Sequence, residues 1–350
     1  MVKKVLVALS GGVDSSITAY LLQKQGYEVE GAYMMLHHNR PGYHEHNLAN
    51  IDRIANFLGI KTHIVDFSNR FDALVFKPFL ESYRQGLTPN PCVLCNRNLK
   101  FGAFYDFAKE LGCDAMATGH YVRNDGQFLY EAICKAKDQS YFLFDIRPNI
   151  IPDLLFPLGN WRKDDVKKLA REIGLEALAL QKESSEICFV DENYVDTLRP
   201  WMEVDQPGEV VDETGRVIGR HKGYVHYTIG KRKGFQVPGA KTPLYVTAID
   251  AAHNRITVAP KEALACRTID LTEINTFIPE TSFTCQVKIR YRTDKVPATV
   301  TIHGNQATVH LLEDVYGVAA GQACVFYDDE KVIGGGWISG ARPTDRLLEV

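Results

Sequence analysis

The sequence has no long apolar run and no large excess of charge of one sign. The first apolar run covers only residues 5–9, too short for a signal-peptide core or a membrane span, and no later run is long enough. A net charge of −3 over 350 residues gives no general attraction to nucleic acid, although short basic groups occur at 231–233 and 288–295. We therefore expect a cytoplasmic globular protein of two or three domains, without a membrane partner.

The chain also lacks a second Cys-x-x-Cys pair, which a four-cysteine zinc site would need. It has eight cysteines and no secretion signal, which argues against a disulfide framework. Cys92 and Cys95 form the one Cys-x-x-Cys pair and precede a predicted helix, whose dipole would lower a thiol pKa. Cys188 follows a polar run at 182–186, which indicates a reactive thiol on a loop. The pair alone leaves three interpretations open: a redox pair, half of a metal site, or buried thiols.

A third absence is the lysine of the G-x-x-x-x-G-K-[ST] loop, which marks the common nucleoside-triphosphate cradle. Residues 9–16 are LSGGVDSS instead, between a strand pattern at 5–8 and a helix pattern that starts at 17. Two glycines allow a tight turn, and the serine hydroxyls and first helix amides offer donors to an anion. Asp14 would repel phosphate unless it held Mg²⁺, so the loop predicts ATP bound with magnesium.

The first half of the chain alternates short strands with amphipathic helices, which predicts a parallel sheet covered on both faces. The predicted strands lie at 5–9, 29–34, 62–67 and 114–118. A helix is predicted at about 98–111, and residues 138–176 look helical, with a break marked by proline and glycine at 157–159. From about 205 onward, short alternating runs separated by turn residues predict β modules. The fold class is therefore an α/β N-terminal domain, a small central β-rich domain and a C-terminal β-barrel, with limits at 1–200, 201–268 and 269–350.

Nine motifs carry a resemblance that spans nearly the whole chain. In order they are SGGVDSS, GLTPNPCVLCN, ATGHY, KDQSYFLF, FPLG, KESSEICF, HYTIGKRKG, KIRYR and GGGWIS. The first resembles the loop of the PP-loop ATP pyrophosphatases, which have the adenine nucleotide alpha hydrolase-like fold. The set resembles the tRNA-specific 2-thiouridylase family (MnmA type). The resemblance implies that ATP adenylates the C2 oxygen of the wobble uridine in tRNAs for Lys, Glu and Gln, releasing diphosphate, and that sulfur then replaces this oxygen.

The resemblance also implies partners and roles for individual residues. A cysteine desulfurase or a sulfur-relay protein would supply sulfur, and the C-terminal barrel would bind tRNA. Cys95 would be the nucleophile and Cys188 the persulfide carrier, and the two would close a disulfide that cellular thiols reset. Asn90, Pro91 and Cys92 would face the target base. The implied ATP-binding residues are Ala8, Leu9, Ser10, Gly11, Gly12, Val13, Asp14, Ser15, Met34 and Gly119. The implied tRNA contacts are His120, Lys137, Asp138, Gln139, Arg290, Tyr291 and Gln322.

One position departs from the family pattern, which has Asp where this chain has Cys92. Three thiols, Cys92, Cys95 and Cys188, would then share one site and could hold a [4Fe–4S] cluster with one iron open for hydrosulfide. Cys92 as a spare resolving thiol is a further alternative. Two rival functions stay open: an amide-forming PP-loop synthetase and a non-enzymatic RNA-binding module. Neither rival explains the GLTPNPCVLCN and KESSEICF motifs together.

Overall fold

The computed structural model describes residues 3–37, 42–181, 187–190 and 193–343. Of these residues, one compact unit, unit 1, contains those up to Val75, from Cys92 to Phe189 and from Glu330 to Ile333. The remaining ones form unit 2. The chain therefore passes from unit 2 into unit 1 between Pro91 and Cys92, inside the segment that carries the paired thiols. Residues 182–186 of the KESSEICF motif lie outside the described ranges.

The strands of unit 1 form a parallel sheet and a hairpin. They are β1 (Lys4–Ala8), β2 (Glu28–Met35), β3 (Thr62–Asp66), β4 (Ala115–Ala117), β5 (Val122–Asn124), β6 (Leu129–Glu131) and β7 (Leu154–Leu155). The sheet has the order β3-β2-β1-β4-β7 with parallel pairs throughout, and β5 pairs with β6 in antiparallel fashion. Val5, Leu6 and Val7 of the central strand are fully buried, as expected for a parallel strand covered on both faces. The predicted α/β architecture is confirmed.

The α-helices of the described residues are mostly short. They are α1 (Val13–Lys24), α2 (Tyr43–Leu58), α3 (Ser68–Phe71), α4 (Lys77–Arg84), α5 (Pro91–Cys95), α6 (Phe104–Glu110), α7 (Lys163–Glu172), α8 (Glu176–Ala179) and α9 (Tyr194–Leu198). Leu22 of α1 and Ile54 of α2 join the core around the parallel sheet. Within the described ranges, no helix combines the length and the apolar character needed to span a bilayer.

The helical prediction over 138–176 is confirmed only in part, because much of the segment forms short 3₁₀ helices and not α-helix. Its first part holds β7 and three 3₁₀ turns, and α7 and the one-turn α8 are its only α-helices; the turns are Ser140–Leu143, Pro148–Asp153 and Pro157–Asn160. Proline explains the difference, because Pro148 and Pro152, besides Pro157 at the predicted break, lack the amide hydrogen that the interior of an α-helix needs. The helix predicted at about 98–111 begins earlier, with α5. It continues through the π-helical segment Asn96–Ala103 and ends with α6.

Unit 2 contains the β modules that the second half of the sequence predicts. Its strands are β8 (Gly208–Val211), β9 (Val217–His221), β10 (Tyr245–Asp250), β11 (Arg255–Ala259), β12 (Ala265–Thr276), β13 (Ser282–Lys288), β14 (Val296–His303), β15 (Gln306–Tyr316), β16 (Ala323–Asp328) and β17 (Lys331–Pro343), whose first residues belong to unit 1. Four of them form a sheet of order β10-β11-β8-β9. The last six follow the order β12-β15-β14-β13-β16-β17, and pairing of β12 with β17 closes them into a barrel. The predicted central β module and C-terminal barrel are confirmed.

Candidate functional site

The loop between β1 and α1 is a tight, internally bonded turn. Gly11 has a φ of +77°, and a Cβ placed on it would lie 2.9 Å from the carbonyl oxygen of Asn47, so only glycine fits there. The Ser15 hydroxyl donates to the Gly12 carbonyl at 3.1 Å and accepts from the Ser10 amide at 3.1 Å. Gly12 is the N-cap of α1 and brings no side chain to the first-turn amides. The loop therefore presents backbone donors to an anion.

The sheet brings the predicted ATP-binding residues to one edge. Ala8 ends β1, Met34 lies one residue before the end of β2, and Gly119 follows β4, and these three strands are neighbours. A Cβ on Gly119 would lie 3.0 Å from the amide nitrogen of Ser15, so the loop after β4 touches the first turn of α1. Ligands of parallel sheets bind at this carboxyl edge. The residues gathered there are Ala8, Leu9, Ser10, Gly11, Gly12, Val13, Asp14, Ser15, Met34 and Gly119.

Asp14 is held by two side chains that the sequence analysis missed. The Lys163 ammonium donates to both Asp14 carboxylate oxygens at 2.7 Å, and the Tyr121 hydroxyl donates to Oδ1 at 2.8 Å. The Lys163 side chain is only 11% exposed, whereas that of Asp14 is 32% exposed. Lys163 is the first residue of α7 and comes directly after the FPLG motif and the following Asn-Trp-Arg. This position beside a motif is the sequence signal that could have identified Lys163 as a site residue.

The Asp14 carboxylate fits the predicted magnesium role. Mg²⁺ is usually held by one or two carboxylates together with phosphate oxygens of the substrate, and Asp14 offers a partly exposed carboxylate beside the anion-binding turn. The Lys163 ammonium offsets the negative charge of Asp14 at the same point. The carboxylate therefore repels phosphate less where the pyrophosphate of ATP is expected to bind.

The thiol pair lies in a different setting from the one predicted. Cys95 is the last residue of α5 and is 6% exposed, and burial raises its pKa to about 12. The predicted lowering of the Cys95 pKa is therefore wrong, because the thiol is buried and does not face the amides at a helix N-terminus. The Lys100 ammonium lowers this pKa, and a negative charge on Cys188 raises it.

Cys92 and Cys188 are both half-buried. Within the described ranges, which include all three predicted thiols, no group of three His, Cys, Asp or Glu side chains is arranged to hold a metal ion. The donor set that a three-cysteine cluster needs is therefore not assembled by Cys92, Cys95 and Cys188 in this structure.

Lys100 is a third residue that the sequence analysis missed. It lies five positions after Cys95, which is the hydrogen-bonding step of the π-helical segment Asn96–Ala103. Its ammonium nitrogen is 3.5 Å from Nε2 of His120. A π-helix leaves no simple sequence signal, which explains why the pairing of Lys100 with the thiol was not predicted.

His120, a predicted tRNA contact, is a buried neutral histidine. Its Nδ1 lies 2.7 Å from the Thr118 hydroxyl, and its ring packs beside Phe101 and Phe156. Burial lowers its pKa well below the ordinary value, and the neighbouring Lys100 charge lowers it further. A tRNA contact by His120 stays a prediction, and in this structure its side chain is 9% exposed.

The KDQ segment is bound into the fold by two of its three side chains. The Asp138 carboxylate is 2% exposed and accepts from the Ala132 amide and the Ser140 hydroxyl, both at 2.9 Å. Burial raises its pKa. The Gln139 side-chain oxygen accepts from the Tyr121 amide at 3.0 Å. The structure therefore uses Asp138 and Gln139 to fix a turn, at which Lys137 is half-buried.

The remaining predicted tRNA and base contacts lie in unit 2, except for Cys92. Arg290 donates to the carbonyls of Ile229, at 3.0 Å, and Gly317, at 2.5 Å, and so ties two loops together. Tyr291 follows it and is half-buried. Asn90 and Pro91 are buried, and Gln322 contacts the loop that precedes them. Within unit 2, each of these predicted contacts is therefore buried or half-buried.

Three family profiles match successive parts of the chain: the tRNA methyl transferase HUP domain over 3–192, the tRNA methyl transferase PRC-barrel domain over 196–260 and the aminomethyltransferase beta-barrel domain over 265–338. The tRNA-specific 2-thiouridylase MnmA of a Nitratiruptor species is 57% identical over 97% of this chain and 100% of its own length. Those of Sulfurimonas denitrificans and Campylobacter jejuni (strain RM1221) are 54% and 49% identical, over 97% and 96% of this chain and 99% of their own lengths. The resemblance carried by the nine motifs is confirmed, and the chain belongs to the tRNA-specific 2-thiouridylase family.

Proposed function

We propose that the protein uses ATP to activate the C2 oxygen of the wobble uridine in tRNAs for Lys, Glu and Gln, and replaces that oxygen with sulfur. The observation that carries the proposal is that Cys95 and Cys188 belong to the same compact unit as the anion-binding turn with Asp14 and Lys163. A sulfur relay needs two thiols within reach of each other, whereas an amide-forming synthetase or a simple RNA-binding module needs none. Relatives 48–57% identical, all 2-thiouridylases, also disfavour both rivals.

The first step is adenylation of the base. The uridine C2 oxygen attacks the α-phosphorus of ATP, the bond to the β-phosphate oxygen breaks, and diphosphate leaves. Lys163 and the first amides of α1 would hold the diphosphate oxygens, and Asp14 would hold Mg²⁺. The ion, when bound, supplies further positive charge to the leaving diphosphate. The product carries AMP on the C2 oxygen, which makes that oxygen a good leaving group.

The second step transfers sulfur. The terminal sulfur of a Cys188 persulfide attacks C2, and AMP leaves with the original oxygen. The Cys95 thiolate then attacks the inner sulfur of Cys188, so that the S–S bond to the transferred atom breaks and its electron pair completes the C2 thiocarbonyl. A Cys95–Cys188 disulfide remains, and two equivalents of a cellular thiol reduce it. The Cys95 thiol must lose its proton before this attack; burial opposes that loss by raising its pKa, and the Lys100 ammonium favours it.

The sulfur donor and the cellular setting are further parts of the proposal. A cysteine desulfurase, directly or through a sulfur-relay protein, would load Cys188 with a sulfur atom in the cytoplasm. The proposed limits are 1–200 for the ATP-binding domain, 201–268 for the central domain and 269–350 for the tRNA-binding barrel. Cys92 takes the role of a spare resolving thiol, since the three thiols do not form a ligand set.

A cysteine series tests the proposed reaction. Cys95→Ser and Cys188→Ser should each abolish 2-thiouridine formation on an anticodon stem-loop, because each removes one sulfur of the relay. Cys134→Ser is the matched control, since Cys134 is a half-buried thiol of the same unit without a proposed role. Thiouridine is measured by nucleoside mass spectrometry and AMP by chromatography. Normal thiolation in either relay variant, or AMP formation that does not depend on tRNA, would contradict the proposal.

Iron content separates the persulfide relay from the cluster alternative. We expect protein purified and reconstituted without oxygen to hold far less than one iron and one acid-labile sulfide per chain, and to thiolate RNA with a persulfide donor. About four irons per chain, lost on Cys92→Ala, would instead make Cys92, Cys95 and Cys188 cluster ligands.

A further inference from the structure

The loop that leads to the paired thiols is bonded to the C-terminal barrel. The Gln322 side-chain nitrogen donates to the carbonyls of Thr88 and Pro89, each at 3.1 Å, and the Thr88 amide donates to the Ala320 carbonyl at 2.9 Å. All these residues belong to unit 2. Three hydrogen bonds therefore join two successive residues of the loop to one turn of the barrel.

The barrel turn that makes these bonds is itself fixed. Gly321 has a φ of +88°, and its amide donates to the Ile338 carbonyl at 2.9 Å, while the Ile338 amide donates to the Gln322 carbonyl at 2.8 Å. The turn is thus hydrogen-bonded to β17 through both Gly321 and Gln322. A Cβ on Gly321 would lie 2.9 Å from the Thr88 carbonyl oxygen, so the loop and the turn are as close as their backbones allow.

The start of the same loop is in contact with the central β module. Gly86 has a φ of +74°, and a Cβ on it would lie 2.8 Å from Cγ2 of Ile249 in β10. The loop at 86–89 is therefore held at its first residue by the central module and at its third and fourth residues by the barrel. Two residues later the chain reaches Pro91, which begins α5, and then Cys92.

We propose that Gln322 is a positioning residue that couples the barrel to the base-recognition loop. The inference rests on the proposed function, in which Asn90, Pro91 and Cys92 face the target base. The loop that carries these residues is anchored within unit 2, on the modules proposed to hold the tRNA. The three hydrogen bonds between the barrel turn and the loop, called the clamp below, then link tRNA docking to the placement of the recognition loop. Loss of the clamp should lower the catalytic rate more than the affinity for tRNA.

The chemistry of the clamp predicts an order among substitutions at position 322. The glutamine nitrogen carries two hydrogens, one for each carbonyl. Lysine can supply donors to both oxygens, leucine supplies none, and glutamate turns an oxygen toward two carbonyl oxygens. The expected order of clamp strength is therefore Gln322 and Gln322→Lys, then Gln322→Leu, then Gln322→Glu. Gly321→Ala is an independent way to push the loop away.

The first test uses the protein without RNA or ATP, so that it does not depend on the proposed activity. Alkylation of the half-buried Cys92 by iodoacetamide is followed by peptide mass spectrometry, together with hydrogen exchange of a peptide that covers 86–91. Gln322→Leu, Gln322→Glu and Gly321→Ala should speed both processes by about threefold or more, while Gln322→Lys should not. Gln306→Leu is the control, on the exposed hairpin between β14 and β15.

The second test separates positioning from direct RNA contact. If Gln322 positions the loop, Gln322→Leu should lower kcat for thiolation about tenfold or more with little change in tRNA KM, and Gln322→Lys should restore it. A residue that only contacts RNA would change KM and leave the RNA-free rates as in the wild type, and that result overturns the proposal. Wild-type rates in all four clamp variants overturn it as well. If the wild-type protein does not thiolate RNA, the proposed function is wrong. The rates measured without RNA still decide whether the clamp exists.

Discussion

At the scale of single residues, the ion pair between Asp14 and Lys163 defines the chemistry of the cradle. A lone carboxylate in an anion site would repel phosphate, and the buried ammonium 2.7 Å from both its oxygens offsets that charge. Tyr121 orients the carboxylate by its hydrogen bond to Oδ1. In the proposed site, the helix amides and Lys163 would bind diphosphate, and Asp14 would hold the metal.

Replacing Lys163 tests this arrangement. We expect Lys163→Met to lower the rate of tRNA-dependent AMP formation by about 30-fold or more and to weaken ATP binding, because a buried cation facing the diphosphate is lost. Lys168→Met is the matched control, since Lys168 belongs to the same helix with a side chain 73% exposed. Initial rates at varied ATP give kcat and KM, and calorimetry gives the ATP Kd. A Lys163→Met enzyme with wild-type values would remove Lys163 from the site.

At the scale of elements, the turn between β1 and α1 depends on close approach of two backbones. The Gly11 Cα lies against the carbonyl of Asn47 in α2, so the shape of the anion site is set by a helix distant in sequence. The helical run from α5 to α6 shows a similar effect. Its π-helical middle places Lys100 where its charge lowers the pKa of Cys95, although no sequence pattern connects the two residues.

A pair of glycine substitutions separates the backbone strain from the clash. Gly11 and Gly26 both have positive φ, at +77° and +88°, but only Gly11 has a neighbour within 4 Å of an added Cβ. Gly26→Ala should lower the free energy of unfolding by about 1 kcal/mol, whereas Gly11→Ala should cost about 2–3 kcal/mol and also weaken ATP binding. Urea unfolding and ATP titration measure the two effects. Equal losses of stability and unchanged ATP binding in both variants would contradict the proposed close approach.

At the scale of the whole molecule, the two units divide the tasks. Unit 1 contains the predicted ATP cradle and the two thiols of the proposed relay, while unit 2 contains the β modules and the loop up to Pro91. The recognition loop thus makes its contacts with the β modules, and the chain then continues into the segment that carries the paired thiols. This division is what makes Gln322 a point where RNA binding and chemistry can be coupled.

The buried thiols of the barrel predict an alkaline limit to stability. Burial raises the pKa of Cys266 to about 11 and that of Cys285 to about 12, above the ordinary value near 9. The unfolded chain therefore releases these protons from about pH 9, whereas the folded barrel keeps them, so the free energy of unfolding falls as pH rises above about 9. At pH 10 the loss should be about 1 kcal/mol per thiol.

Thermal unfolding at pH 7.5 and pH 10 checks this expectation. A Cys266→Val, Cys285→Val double variant should lose less stability between the two pH values than the wild type, because it has two fewer titrating thiols. The difference in Tm between the two proteins at pH 7.5 reports the effect of the substitutions on packing alone. It serves as the reference for the difference at pH 10. An identical fall in Tm for both proteins would contradict the assignment to these thiols.

The sequence alone determined the family, the parallel sheet, the β modules and the nucleotide loop. These features depend on local patterns: an apolar run such as Val5 to Val7, the glycines of the loop, and motifs that keep their order along the chain. Expectations failed where local pattern competes with covalent or tertiary constraints. Prolines limited much of the helical segment predicted over 138–176 to 3₁₀ helix, and burial reversed the predicted pKa shift of Cys95.

Only the tertiary structure decided the partners of the reactive groups. Lys163 is 149 residues from Asp14, and Gln322 is 234 residues from Thr88, so no local pattern connects them. The same folding decided that Asp138 and His120 are buried rather than displayed. The physical reason is that a pKa, an ion pair and a clamp are set by distance and burial in three dimensions, whereas a sequence records only which groups are present and in what order.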